Sequence, residues 1–313
     1  MKKTLLATAI ISGLVSATAG AATVYDNDGT TMKIGGRAEV RGVFGDGVDG
    51  TMEDKSRARI NFDASTQISE NLTGFGFMEY ELTNTSSLEV EDGELEGKSA
   101  LNTRYLYAGI GTQIGDFSYG KQNTAGVQIS DFTDIASNHS GEQQIIDAAS
   151  DKQNNTFAYS GTFADGLTVQ ASYIAEKDED DDSFGISAAY EFDFGLNIGA
   201  AYASADDDSN QATFGAGYTL NDLYVAATYS MGDIDANDDF TGLEVAAQYK
   251  FTKEFRLIGI YANVEEDSET TVDYVALEAQ YRFNSSIRTY ASYQLDNMDG
   301  GEDELMVGLR YNF

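Results

Sequence analysis

Apolar and polar side chains alternate along most of this chain. Between Leu243 and Phe251 every second residue is apolar, and the residues between them are polar or alanine. The same alternation runs through 271–283 and 303–313. Because successive side chains of a β-strand point to opposite faces, each segment predicts a strand with one apolar and one polar face. Lengths of about 9 to 13 residues suit strands that cross a bilayer at a tilt.

The connections between these segments alternate in length and charge. Long acidic connections, such as 89–96, 178–182 and 265–269, alternate with short ones rich in Asp, Asn and Gly, such as 164–166 and 221–222. Asp, Asn and Gly favour tight turns. A soluble β-sandwich has no reason to collect long acidic loops at one end, whereas a transmembrane barrel has short periplasmic turns and long outer loops. The pattern predicts an all-β, antiparallel transmembrane β-barrel.

Sixteen strands account for the whole pattern. We predict them near residues 32–44, 55–68, 72–83, 102–112, 116–122, 156–163, 167–176, 183–192, 196–204, 211–220, 223–231, 240–251, 255–264, 271–283, 286–295 and 303–313. An even count places both chain ends on the periplasmic side. Closure into a barrel satisfies every backbone donor and acceptor in the hydrocarbon region. Because the chain has no Trp, aromatic girdles at the membrane surfaces must consist of Tyr and Phe.

The N-terminal residues have the features of an export signal. The basic pair Lys2-Lys3 precedes an apolar stretch over 5–15, and small residues follow it, just before Ala22. The stretch is too short to span a bilayer. We expect residues 1–21 to be cleaved as a signal peptide and residues 22–313 to form one barrel domain.

Composition excludes several classes of protein. The 313 residues include no Cys, which excludes thiol nucleophiles and zinc–thiolate sites, and the single His139 leaves almost nothing for His-based catalysis. A net charge of −33 opposes binding of nucleic acid. We therefore expect no enzymatic activity, no cofactor and no dedicated metal site. The acidic outer loops favour at most a diffuse binding of Ca²⁺ or Mg²⁺.

One connection, residues 123–153, is far longer than the others. It contains apolar residues, among them Val127, Ile129 and Phe132, which need a surface to pack against. Loops of this length are usually functional or disordered. A sixteen-stranded barrel encloses a lumen wide enough for a water channel. We predict that this third outer loop folds inward and narrows the lumen.

Seven short stretches occur in a characteristic order from the first strand to the last. They are Ile34-Gly35-Gly36-Arg37, Arg57-Ala58-Arg59-Ile60-Asn61-Phe62, Leu72-Thr73-Gly74-Phe75-Gly76, Asn102-Thr103-Arg104-Tyr105-Leu106-Tyr107-Ala108-Gly109, Gly115-Asp116-Phe117-Ser118-Tyr119-Gly120-Lys121, Phe132-Thr133-Asp134 and Leu309-Arg310-Tyr311-Asn312-Phe313. In these stretches the chain resembles the general diffusion porins of Gram-negative outer membranes, in particular the acidic porins of Vibrio-type bacteria. The resemblance implies a homotrimer in the outer membrane, with one pore per subunit for small hydrophilic solutes and ions.

The resemblance also implies which residues form a pore constriction. Its basic wall is expected to comprise Arg37, Arg57, Arg59, Arg104 and Lys152, the last standing where the family usually has Arg. On the loop, Asp134 matches an acidic position of the family. Asn138-His139 replaces the next acidic–aromatic pair, so we expect Glu142 to be the second acid.

Two further features are implied by the same resemblance. Glu89 or Glu91 is expected to latch onto Lys121 of a neighbouring subunit in the trimer. The final strand, with Tyr311 and Phe313, is expected to be the signal that the barrel-assembly machinery reads. Lipopolysaccharide is the expected lipid partner of the outer surface.

Ordinary structural roles compete with several of these assignments. Arg57 and Arg59 would also suit a plain lumen wall, Asp134 would suit a helix cap, and His139 would suit a solvated loop. The acidic charge favours a modest preference for cations, screened over about one Debye length. A substrate-specific porin and a surface receptor or adhesin remain as alternative functions.

Overall fold

The computed structural model describes residues 21–48, 50–91, 94–164, 166–176, 182–205 and 208–313, with the backbone alone for 84–91 and 94–100. The predicted signal peptide lies outside the described residues. Sixteen strands form a closed antiparallel barrel, in which each strand pairs with the next and the last pairs with the first. Within the described part of the chain, no helix is long and apolar enough to cross a membrane.

The barrel strands follow one another along the chain. They are β1 (Thr30–Gly45), β2 (Arg57–Ser69), β3 (Leu72–Glu91), β4 (Glu94–Thr112), β5 (Gly115–Gln122), β6 (Gln153–Phe163), β7 (Leu167–Ile174), β8 (Ser183–Glu191), β9 (Leu196–Ala205), β10 (Asn210–Leu220), β11 (Leu223–Asp233), β12 (Asp239–Lys250), β13 (Phe255–Glu266), β14 (Glu269–Arg282), β15 (Ile287–Asp296) and β16 (Glu304–Asn312). Two short strands, Ala22–Asn27 and Glu53–Asp54, pair with β1. The prediction of a sixteen-stranded antiparallel barrel is confirmed.

The barrel closes where β16 meets β1, with Arg310 directly opposite Glu39. Past the end of β16, the short strand Ala22–Asn27 pairs with the first part of β1. Gly36 and Phe313 exchange backbone hydrogen bonds of 2.9 and 3.0 Å. The edge of β1 is therefore paired at both ends. In a membrane, an unpaired strand edge would leave backbone N–H and C=O groups without hydrogen-bond partners. Sequence analysis did not predict the short N-terminal strand.

The two faces of the wall differ as the alternation predicts. One face carries exposed apolar side chains, including Val40, Ile60, Leu106, Ile186, Val245, Leu277 and Leu309. The opposite face carries buried polar side chains, including Ser187, Gln211, Thr228, Ser230, Glu244, Glu278 and Ser292. In a membrane barrel the apolar face contacts lipid, so the buried polar face lines the lumen.

At one end of the barrel, short turns join successive strands. Among the described residues, this short-turn end contains 70–71, 113–114, 164, 166, 192–195, 221–222, 251–254 and 283–286. Aromatic pairs stand where strands enter these turns, such as Tyr249 with Phe251 and Tyr281 with Phe283, with ring centroids 4.7 and 5.1 Å apart. These pairs place an aromatic girdle of Tyr and Phe at this end.

Two acidic segments expected to be loops are mostly strand. The ladder between β3 and β4 continues until Glu91 faces Glu94, so the predicted strand ends at 83 and 102 were wrong by eight residues each. Likewise, 265–269 narrows to a turn at Asp267-Ser268. Backbone hydrogen bonds do not depend on side-chain polarity, and beyond the hydrocarbon region both faces of a ladder tolerate charge. The acidic run 178–182 lies almost wholly outside the described residues.

The long connection between β5 and β6, residues 123–152, packs against the buried polar face of the wall. It contains one short helix, α1 (Val127–Ser130), and a 3₁₀ turn at Asp147–Ala149. Ile129 is fully buried, and Ile135 packs on an apolar patch of β12, β13 and β14. Further along, Ile146 joins Phe240 in a second apolar cluster.

Candidate functional site

Arginines and glutamates interleave on the inward face of β2, β3 and β4. Arg59 is directly opposite Glu81 in the ladder and donates to its carboxylate from Nε. Arg104 Nε donates to Glu79 Oε1 at 2.9 Å, and Arg59 Nη1 lies 3.7 Å from the same oxygen. All four side chains are at most 18% exposed. The wall is therefore a shared network of charges.

A second network centres on Glu39 of β1, whose side chain is fully buried. Its Oε2 accepts from Arg57 Nε at 2.6 Å, and its Oε1 accepts from Arg310 Nε at 2.6 Å. The Tyr290 hydroxyl donates to Oε1 at 3.1 Å, and Arg37 Nη2 lies 3.6 Å from Oε2. Both carboxylate oxygens are thus occupied by cationic or hydroxyl donors.

Sequence analysis missed the glutamates and one arginine of these networks. Glu39, Glu79 and Glu81 stand at inward positions of the predicted strands, so the alternation contained the signal. The resemblance directed attention to the arginines alone. Arg310 was quoted only as part of the C-terminal motif. The predicted basic wall is a mixed-charge wall in which each of these arginines has a carboxylate close by.

A cavity of about 500 Å³ is bordered by predicted residues of the wall and of the long connection. Its lining includes Arg37, Arg59 and Arg104 on the wall and Asp134 on the long connection. It also includes two acids that the sequence analysis missed, Asp131 and Asp151, and three further arginines, Arg282, Arg288 and Arg310. Arginines of the wall and acids of the connection therefore border one water-accessible space.

Three predicted residues are not part of that lining. Arg57 belongs to the Glu39 network. Lys152 pairs with Asp151, and burial lowers the pKa of its ammonium group. Glu142 Oε1 accepts from the Tyr274 hydroxyl at 3.1 Å on β14.

Buried glutamates of the far wall hold the tip of the long connection. Glu244 Oε2 accepts from the backbone N–H groups of Gly141 and Glu142 at 2.9 and 3.0 Å. Glu278 accepts from the backbone N–H of Ser137 at 2.9 Å. Each carboxylate is 1% exposed or less. These hydrogen bonds fix the tip against β12 and β14.

His139 lies at this tip with a positive φ of 54°. Its side chain is only 6% exposed, and Nε2 stands 3.4 Å from Glu304 Oε1. Its ring meets Tyr274 edge-on at 6.4 Å between centroids. The expectation of a solvated histidine was wrong, because the tip docks on the wall. Burial lowers the pKa of His139.

Asp131 faces the water of the cavity, but protein surrounds that space closely. This restricted hydration is the main reason that the pKa of Asp131 is raised to about 7, and the negative charges of Asp134 and Asp151 raise it further. Its carboxyl is therefore protonated below that pH and ionised above it. The acidic side of the cavity gains one negative charge as the pH rises through 7.

This titration predicts a pH-dependent ion preference. Between pH 6 and 8, the cation-to-anion permeability ratio is expected to rise, because Asp131 becomes ionised beside the cavity. Reversal potentials under a salt gradient measure the ratio. The Asp131→Asn variant is expected to lose most of this pH dependence, whereas Asp235→Asn, in an exposed connection, is expected to retain it. A variant of Asp131 that titrates like the wild type contradicts the assignment.

The proposed trimer latch is described in part. Lys121 stands on the outward side of β5, beside an open groove that also includes Leu106 and Tyr119. Glu89 and Glu91 lie on β3, and their side chains are outside the described residues. Tyr311 and Phe313 lie at the end of the chain, 48% and 42% exposed.

No metal site is evident in the described ranges. They hold no group of three or more His, Asp or Glu residues placed to bind a metal ion. Diffuse binding of Ca²⁺ or Mg²⁺ to the acidic connections stays a prediction, since part of those connections is outside the described ranges.

Comparison with known proteins decides the family. A family profile described as Gram-negative porin matches residues 7–301. The chain belongs to this family. It is 36% identical to outer membrane protein U of Vibrio parahaemolyticus, with 100% of both chains covered. The chain is thus a porin of the Gram-negative outer membrane, a passive channel and not an enzyme.

Solved structures of porins share the fold. OmpF of Salmonella typhi, in complex with daunomycin, superposes with a TM-score of 0.80 at 25% identity, covering 93% of this porin and 100% of that chain. OmpT of Vibrio cholerae, in a trimer form, gives a TM-score of 0.74 at 18% identity, covering 91% and 100%. The second likeness concerns the fold alone.

Proposed function

We propose that this porin is a non-specific channel through which small hydrophilic solutes and ions diffuse passively, with a modest preference for cations. The observation that carries the proposal is the cavity bordered by Arg37, Arg59 and Arg104 on one side and by Asp131 and Asp134 on the other. Most of its lining residues are polar or charged. They can therefore form hydrogen bonds and ion contacts with solutes that lose part of their hydration shell.

In this proposal the long connection lies inside the lumen and forms its constriction. Its contacts with inward residues of β7 and β16 support that position. The backbone N–H of Ala125 donates to Ser172 Oγ on β7 at 3.0 Å, and Asn138 Nδ2 donates to Glu304 Oε1 on β16 at 3.4 Å. Solutes are sieved by size where the connection narrows the barrel. Opposed arginines and carboxylates set up a transverse field that orients dipolar solutes as they pass.

The expected cation preference comes from the protein as a whole. A net charge of −33 and acidic connections concentrate cations near the mouths of the pore. Within the wall, Glu39, Glu79 and Glu81 offset arginines that would otherwise favour anions. Salt screens the preference, so it is expected to be larger at low ionic strength.

We further propose a homotrimer that assembles through the outward face near Lys121, with Glu89 or Glu91 as the latch. The apolar outward groove beside Lys121 supports this placement. Cleavage of residues 1–21, recognition of Tyr311 and Phe313 by the barrel-assembly machinery, and contact of the outer surface with lipopolysaccharide complete the proposal.

The test is single-channel recording of the purified protein in a planar bilayer under a salt gradient. Three equal closing steps and a reversal potential on the cation side support a trimeric, cation-preferring general porin. Saturation of the current by one sugar supports a substrate-specific porin instead. A folded, heat-modifiable barrel without conductance overturns the proposal and favours the receptor or adhesin function.

Two glycines leave room for the long connection, and filling one of them is expected to narrow the pore. A Cβ at Gly199 would stand 2.5 Å from Ile129 Cδ1, and one at Gly215 would stand 2.8 Å from Ile129 Cγ2. Gly215→Leu is therefore expected to push the connection away from β10, towards the arginines of β2 and β4, and to exclude the larger sugars that the wild type admits. Liposome swelling measures the change. Gly259→Leu is the control, because a Cβ there meets nothing within 4 Å. An unchanged size cutoff in Gly215→Leu contradicts the proposed constriction.

A further inference from the structure

Three arginines stand directly side by side on the inward face near the short-turn end. Arg282 of β14 faces Arg288 of β15, and Arg288 faces Arg310 of β16. On the next strand, Arg37 lies opposite Asn312, two residues beyond Arg310. We call these four residues the arginine arc. Like charges directly opposite each other in a ladder destabilise a sheet, so this arrangement carries a cost.

The protein neutralises the arc only in part. Glu39 accepts from Arg310 and lies near Arg37, but it also accepts from Arg57 and Tyr290. Among the described residues, Arg282 and Arg288 have no ion pair and no side-chain hydrogen bond. The Nε atoms of Arg37 and Arg288 are buried without a hydrogen-bond partner.

Such unused donors are uncommon. Native proteins leave few buried polar groups unsatisfied, because each costs about 1–3 kcal/mol. An anionic ligand with several oxygens would satisfy the free N–H groups and relieve the repulsion between the arginines at the same time.

The arc is open to such a ligand. All four arginines line the cavity described above, together with Asn284, Ser285 and Asn312 near the short-turn end. The acids of that cavity come from β3 and from the long connection, and none of them comes from β14, β15 or β16. A volume of about 500 Å³ is sufficient for a phosphate ester of small size.

We propose that the arginine arc is a binding site for phosphate groups, and that it retains inorganic phosphate and small phosphate monoesters on their way through the lumen. A dianion with three free oxygens matches several guanidinium forks better than a single carboxylate does. The site adds a class of solute to the proposed function. It rests on that function in one respect, because solutes must reach the arc through an open lumen.

Binding is tested first without any conductance. Glucose 6-phosphate is added to the detergent-solubilised porin at pH about 8, where the monoester is a dianion, and its ³¹P line width is followed during titration. Saturable broadening that excess inorganic phosphate reverses supports the site. Absence of broadening overturns it, and because this readout needs no ion current, that result is separate from failure of the channel proposal.

Variants identify the residues. Arg282→Gln and Arg288→Gln are each expected to weaken binding about tenfold, the scale of a lost charge-assisted hydrogen bond. Removing either arginine also removes repulsion, so these variants are expected to fold, and heat-modifiable gel mobility checks that they do. Arg288→Lys keeps the charge but loses the planar fork, and is expected to weaken binding severalfold.

The matched control is Lys250→Gln, which removes one inward positive charge at the same end of the barrel, outside the cavity lining. Binding in this variant is expected to equal that of the wild type. Equal losses of binding affinity in Lys250→Gln and Arg288→Gln would show that binding depends on the overall positive charge and not on the arc, and would overturn the proposal. In planar bilayers, glucose 6-phosphate is expected to reduce the wild-type ion current saturably and to leave that of Arg282→Gln/Arg288→Gln unchanged, with glucose as the neutral comparison.

Discussion

A channel with glutamine in place of both Arg59 and Arg104 is expected to prefer cations about tenfold more strongly than the wild type. A unit charge at about 6 Å in water changes the energy of a monovalent ion by about 0.7 kcal/mol, and two such charges change its local concentration about tenfold. The substitutions also remove both arginine partners of Glu79 at the cavity and leave Glu81 with Arg57 alone, 3.8 Å away. Reversal potentials under a salt gradient measure the effect.

The control for this double variant is Lys55→Gln, which removes an exposed cation paired with Glu53. It is expected to shift the reversal potential little, because salt screens exposed charges far from the cavity. Adding Arg57→Gln to the double variant is expected to raise cation preference further, because Arg57 is the remaining cationic partner of Glu81 and one of those of Glu39. A reversal potential that stays at the wild-type value in the double variant contradicts the assignment of these arginines to the conducting path.

Replacement of Glu39 by glutamine is expected to give the largest loss of stability, about 3–5 kcal/mol. Its side chain is fully buried, and its carboxylate is the shared partner of Arg57 and Arg310. Without that charge, neighbouring arginines repel each other in a space with little water. Thermal unfolding of the detergent-solubilised barrel, followed by gel mobility, measures the loss.

An exposed glutamate provides the comparison. Glu53→Gln breaks the surface pair with Lys55, and such pairs contribute less than about 1 kcal/mol. The double variant Glu39→Gln/Arg310→Gln is expected to recover part of the stability, because it removes one uncompensated charge. If Glu39→Gln and Glu53→Gln unfold at the same temperature, the buried network does not stabilise the seam between β16 and β1.

Side-chain alternation was sufficient to predict the barrel, because lipid on one side and water on the other impose it on every strand. The same alternation did not predict the full length of β3 and β4. Their ladder continues beyond the hydrocarbon region, where both faces of the strands tolerate polar residues. The short strand Ala22–Asn27 was missed because it is short and ends in polar residues, and only its pairing with β1 defines it.

The candidate site was less accessible to sequence reasoning. Arg37, Arg59, Arg104 and Asp134 were predicted through family motifs, and the structure brings them to one cavity. Asp131 and Asp151 were missed because the path of the long connection depends on partners far along the chain. One of these contacts, between Asn138 and Glu304, joins residues 166 positions apart. A local sequence pattern cannot predict contacts between residues so far apart in the chain.

The seam between β16 and β1 also constrains how this chain reaches its folded state. Glu39 and Arg310 are separated by 271 positions. The hydrogen-bond ladder of β1 is therefore complete only after β16 has formed and paired with it. Loop closure over such a distance is slow, and an unpaired strand edge invites association with other chains in the meantime. Formation of the buried Glu39–Arg310 pair therefore belongs to the final stage of folding, and a chaperone or membrane factor that shields the edge of β1 has to act before that stage.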